Sequence, residues 1–128
     1  MKSFSDNLSE RFVVFVVNII KLEKQLCKTY SGRHIYGQLF RAGTSTGANY
    51  EEARAGESKA DFFHKMQIVL KELRESHYWI NLIRESKLIP PENEVLIILF
   101  NESIELANIT AKSVITAKSN SGKTPPRA

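Results

Sequence analysis

The feature that most constrains this chain is a heptad seam that starts at Leu8 and does not break until Leu26. Leu8, Phe12, Phe15, Ile19, Leu22 and Leu26 alternate spacings of four and three, which puts six large apolar side chains on one stripe of an α-helix. Val13, Val16, Val17 and Ile20 add a second apolar strip beside it. A strand would need period two, which the seam does not have. The spacing predicts a helix from about Asp6 to Lys28.

Three more seams follow, separated by short punctuated turns. Tyr30, Ser31 and Gly32 read as the first turn. A second helix is expected from Arg33 to Arg54, with Ile35, Leu39, Ala42, Thr46, Asn49 and Ala53 inward. That seam is small and partly polar, and Gly37, Gly43 and Gly47 lower its intrinsic helicity, so tertiary packing must hold it. Gly56 and Glu57 make the next turn. Ser58 with Asp61 resembles a capping box that opens a third helix to about Lys87. Its seam is Phe62, Met66, Val69, Leu73, Ser76, Ile80 and Ile83. Pro90 and Pro91 break the chain, and Pro91 suits the first turn of a fourth helix that ends near Lys118.

The predicted fold is all-α: an antiparallel up-down-up-down four-helix bundle over residues 1–118 with a disordered basic C-terminal tail over residues 119–128. A chain of 128 residues fits one domain, and a domain this size needs no disulfide or metal staple. The first and third helices are apolar over more than one face, which predicts a homo-oligomer. One cysteine, Cys27, excludes an internal disulfide and points to a reducing compartment. The apolar run Phe12–Ile20 is too short to span a bilayer and no signal-cleavage site follows it. A cytoplasmic protein without membrane contact is expected.

Enzymatic motifs are absent. A di-iron bundle needs Glu-x-x-His on two helices, and only Asp61 and His64 approach that pattern. Gly43–Gly47 is glycine-rich but lacks the lysine of a phosphate-cradling loop. Helical-bundle ribonucleases carry an Arg with four to six residues between it and a following His, and Arg74 with His77 is too tight for that spacing. No catalytic residue, metal site or cofactor is expected.

Charge is uneven along the chain. The formal net charge is +4. Lys21, Lys24, Lys28, Arg33 and Arg41 cluster around the first hairpin against a single acid, Glu23. They are the candidate nucleic-acid-binding residues. Around the second hairpin, residues equidistant from Glu57 face each other. Asn49 then lies opposite Lys65, with Glu52 nearer the loop, while Glu72 and Trp79 continue the Lys65 stripe at intervals of seven. This predicts a partly buried polar network of Asn49, Glu52, Lys65 and Glu72.

The stretch Leu39 to Ala53, LFRAGTSTGANYEEA, resembles the signature of the "four helix bundle protein" family, also called the 23S ribosomal RNA intervening-sequence protein family. Ser58, Asp61-Phe62, Lys65, Leu70, Glu72, Glu75 and Tyr78-Trp79 fit its third helix. Ala53 departs from the Gly that many members carry there. The resemblance spans about residues 8 to 115. It implies an antiparallel bundle, commonly a homopentameric ring, with no enzymatic activity. Members occur as reading frames within insertions in bacterial 23S rRNA genes. A related bundle is the accessory protein of diversity-generating retroelements, which binds a reverse transcriptase and nucleic acid. On this resemblance Ser45, Asn49, Glu52, Lys65, Glu72 and Glu75 are architectural.

The expected function is a non-enzymatic oligomeric bundle that binds RNA or DNA through basic surface residues and scaffolds another protein, such as a reverse transcriptase. The alternatives are a protein-interaction scaffold without nucleic acid, or a divergent helical ribonuclease or toxin component using Arg74 and His77.

Overall fold

The computed structural model describes residues 1–122, and these form an all-helical fold. The helices are α1 (Phe4–Lys21), α2 (Glu23–Leu26), α3 (Tyr30–Arg54), α4 (Lys59–Ser86) and α5 (Glu94–Gly122). α3 packs on α4, α4 on α5, and α1 against both α3 and α5, which closes the ring. Contacts at opposite ends of the numbering fix the directions. Tyr50 and Arg54 of α3 meet Ser5 and Asp6 of α1, and His77 of α4 meets Ser103 of α5. Each neighbour is therefore antiparallel, the bundle the seams predicted.

The seams become the core. All six residues of the first seam are buried, as are Met66, Val69, Leu73, Ser76, Ile80 and Ile83 of α4. α3 departs at one position: Asn49 is half-buried and Tyr50 takes the inward place. Stepping four and then three from Thr46 reaches Tyr50 and Ala53. At 3.6 residues per turn Asn49 and Tyr50 flank the stripe about equally, and the apolar ring of Tyr50 takes the core in preference to the polar amide. The Tyr50 ring lies 5.1 Å from Phe12, and its hydroxyl meets Ser5 Oγ at 3.0 Å.

Four boundaries differ from the sequence reading. The first helix does not run unbroken to Lys28. It stops at Lys21, where the Leu22 N–H donates back to Ile19 O at 3.0 Å, and a single turn, α2, follows. The tightened turn keeps Leu22 and Leu26 both buried. Tyr30, Ser31 and Gly32 are not a turn but the start of α3, because Thr29 Oγ1 accepts from the Gly32 N–H at 3.0 Å and acts as the N-cap. Gly32 serves close approach: a Cβ there would lie 1.7 Å from Leu26 O.

Pro91 is not in a helix. The Asn93 N–H donates to Pro90 O at 3.0 Å, so Pro90–Asn93 is a turn with Pro91 in its second position. Asn93 Oδ1 then accepts from the Leu96 N–H at 3.1 Å and caps α5. At the other end α5 continues to Gly122, so residues 119–122 of the expected disordered tail are helical. None of them removes a backbone N–H, which Pro125 would be the first to do. The remainder of the expected tail, 123–128, lies outside the described residues.

Candidate nucleic-acid interface

The sequence of the first hairpin folds into one end of the bundle. α1 closes on Lys21, α2 carries Lys24, the α2–α3 link carries Lys28, and the first turn of α3 carries Arg33. All four side chains are exposed and none forms an ion pair among the described residues. Glu23 sits among them, also exposed. Burial and the Glu23 carboxylate push the Cys27 thiol above its usual range, which disfavours the thiolate.

The same end also receives the α4–α5 connection, and there the charges are mixed. Glu85, Glu92 and Glu94 are exposed beside Lys87. Arg84 is spent on packing, with its guanidinium 3.8 Å from the centre of the Phe100 ring. The basic character thus belongs to the α1–α3 side of this end.

Arg41, the fifth basic candidate, separates from the others. It lies two turns below Arg33, about 12 Å along α3, and reaches across to α4. Its guanidinium pairs with Glu72 at 3.4 Å and with Glu75. Glu75 also accepts from the Trp79 indole N–H at 3.1 Å. A cation held by two carboxylates has little charge left for a phosphate.

The polar network expected around the second hairpin is divided. Lys65 Nζ pairs with Glu52 at 2.7 Å near the loop. Glu72 belongs instead to the Arg41 cluster nearer the basic end. Asn49 joins neither, and its side-chain amide donates to Ser45 O at 2.8 Å within α3. An Asn that bonds its own helix leaves cross-hairpin register to the ion pairs. Sequence reasoning missed Arg41 as the partner of Glu72 and Glu75. The mirror rule about Glu57 that sets Asn49 opposite Lys65 also sets Arg41 between those two acids, so the signal was present.

Two further clusters were not anticipated. Arg11 forks onto Glu102 at 2.6 and 3.0 Å and reaches Glu105 at 3.0 Å, tying α1 to α5. The Glu102 hydrogen bonds raise its pKa further above the usual guanidinium range. Arg54 pairs with Asp6 at 2.6 Å and Glu51 at 3.6 Å, and its hydrogen bond holds the Asp6 carboxyl below the ordinary range.

His77 is half-buried at the α4–α5 contact, 4.9 Å from the Phe100 ring centre. Ser103 Oγ donates to Phe100 O at 2.9 Å and therefore accepts from His77 Nδ1 at 2.8 Å. Burial, aided by Arg84, lowers the imidazole pKa. Among the described residues no three His, Cys, Asp or Glu side chains gather as a metal site, and no helix is long and apolar enough to cross a membrane.

Two apolar surfaces stay uncovered. On α1, Val13 is 64% and Val17 is 44% exposed. They flank a groove of about 380 Å³ between α1 and α3, floored by Phe12, Thr44, Gly47 and Ala48. On α5, Ile97, Ile98, Ile104 and Ile115 point outward. The far end of the bundle holds a larger cleft of about 1180 Å³, lined by Phe4, Leu8, Tyr50, Phe62, Met66 and Ile109 among others.

Fold and surface together define a small antiparallel helical bundle with one basic end and two uncovered apolar faces. The family model of the 23S rRNA-intervening sequence proteins matches residues 8–112, and the chain belongs to that family. A solved relative is a protein of unknown function from the S23 ribosomal protein family of Bacteroides thetaiotaomicron. It is 32% identical, with a TM-score of 0.74, over 84% of this chain and 97% of that one. No curated protein matches significantly.

Proposed function

We propose that the protein is a non-enzymatic, oligomeric scaffold that binds RNA or DNA through the basic side chains of its α1–α3 end. The carrying observation is the contrast in pairing: Lys21, Lys24, Lys28 and Arg33 have no carboxylate partner, whereas Arg11, Arg41, Arg54 and Lys65 do. Unpaired cations clustered at one end suit a phosphate backbone, and such binding is salt-sensitive and largely indifferent to sequence. The family description, which names 23S rRNA, favours RNA. Assembly of several copies multiplies the patch and strengthens its field.

Uncovered apolar side chains occur on two separate elements, α1 and α5. That favours head-to-tail contact, which closes into rings, in keeping with the pentamer that the family resemblance implies. A reverse transcriptase or another protein is the scaffolded partner, and the cytoplasm is the compartment. The test is retardation of a structured RNA at low salt, with solution mass measured alongside. Reversing Lys21, Lys24 and Lys28 to Glu should weaken binding by about a hundredfold or more while the oligomer and its unfolding midpoint persist. Wild-type protein that retards nothing at low salt refutes the nucleic-acid reading.

A second reading has one observation in its favour, the exposed valines and isoleucines. In it the bundle only assembles with proteins and its charge is incidental. The same triple reversal then leaves partner binding intact.

A further inference from the structure

Tyr30 opens α3 with 78% of its surface exposed. No hydrogen bond or ring contact engages it among the described residues. A lone exposed ring would need no explanation, but this one has company. Lys28 precedes it by two residues, and Arg33 follows within one turn. His34 lies on the same stripe of α3 one turn down, about 6 Å along the axis. The His34 ring meets Trp79 edge-on at 6.4 Å, and Trp79 meets Tyr78 at 5.0 Å. Tyr78 is itself exposed.

These rings form a discontinuous track from the basic end onto the contact between α3 and α4. It stops where Glu75 accepts from Trp79. Beyond that point Glu72 and Glu75 are paired with Arg41. Cations beside exposed π-faces form the surface that holds a strand whose bases are unpaired. A duplex offers phosphates but hides its base faces, so it gains from the lysines and nothing from the rings.

We propose that the basic end binds single-stranded nucleic acid in preference to duplex. One unpaired base stacks on Tyr30, a neighbouring base on the His34–Tyr78–Trp79 group, and Lys28 and Arg33 hold the phosphates between. This rests on the nucleic-acid reading above and adds the class of strand to it. Recognition is tolerant of sequence, because every base has a π-face.

The experiment uses the full chain, a labelled oligouridine of about fifteen nucleotides and a fully paired RNA of the same length. Wild-type protein should bind the single strand more tightly at equal salt, and oligouridine should quench the fluorescence of Trp79, the chain's one tryptophan. Tyr30→Ala should lose at least about fivefold in affinity for oligouridine and leave duplex binding unchanged, while Tyr30→Phe keeps both. Tyr30 is largely exposed and makes no hydrogen bond or ring contact among the described residues, so the alanine variant should fold as wild type does. Equal losses on both probes, or no loss on oligouridine, would overturn the stacking proposal while the wider reading stands. Failure of wild-type protein to bind either probe would remove both.

Discussion

The two sides of α3 use their cations in opposite ways. Toward α4 and the lower half of α1, Arg41, Arg54 and Lys65 each meet a carboxylate. Toward the α1–α2 end, Lys21, Lys24, Lys28 and Arg33 meet none. Residue type does not distinguish the two sets. What does is the register of the antiparallel hairpins, which brings an acid opposite one set and not the other. Paired cations align helices, and unpaired ones are left to attract.

The sharpest way to break the contrast is to displace the basic end as a unit. Gly32→Ala would put a Cβ 1.7 Å from the backbone oxygen of Leu26, and a backbone atom cannot yield as a side-chain end can. A loss of about 3 kcal/mol in urea unfolding is expected, with weaker RNA binding because the four cations lose their common frame. Wild-type stability in that variant would show that α2 can move freely.

Next comes a direct exchange of roles. Arg41→Ala should lower stability by about 1 kcal/mol, since Glu72 is largely covered and loses its cation, while RNA affinity barely changes. Lys28→Ala should do the reverse: stability is kept, and the slope of log affinity against log salt falls by about one. If Arg41→Ala instead costs affinity and no stability, Arg41 serves the ligand and not the α3–α4 contact.

Smaller effects come from the far side of the same end. Lys87 closes α4 at φ 59°, in the left-handed region, where glycine is the unstrained residue. Lys87→Gly should stabilise by about 0.5–1 kcal/mol in thermal unfolding. The mildest is a pH effect. The folded His77 pKa lies below its unfolded value, so between the two the unfolded chain binds the extra proton. Stability is therefore full above about pH 6.5 and declines as pH falls toward the folded pKa. His77→Gln should flatten that part of the curve. An unchanged slope would assign the dependence to other groups.

Much of the fold was legible because the seams are long. Six residues at alternating four and three admit a helix and little else, and all six are buried. The misjudged boundaries turned on single bonds: the back-bond at Leu22, the Thr29 cap and the Pro90–Asn93 turn each depend on one N–H. Periodicity does not carry that information, although Thr29 and Asn93 are residue types that favour helix N-caps. The polar network was only half legible. Distance from Glu57 gave the facing pairs correctly, but not that Asn49 would bond its own helix. The basic cluster was visible as composition. That four of its members lack partners and Arg41 does not could come only from three dimensions.

The valines on the outer face of α1 also have a consequence for the chain before it folds. Phe12-Val13-Val14-Phe15-Val16-Val17 is an uncharged six-residue run without proline, dense in β-branched and aromatic side chains. Such a segment, left extended, can stack with copies of itself into cross-β ladders. It precedes α3 and α5 in the chain, so it leaves the ribosome before they exist to cover its inward face. Arg11 and Lys21 bracket the run as charged gatekeepers, and Arg11 later forks onto Glu102. The helix that closes the bundle is thus also its aggregation hazard, held in check by how quickly the rest of the chain arrives.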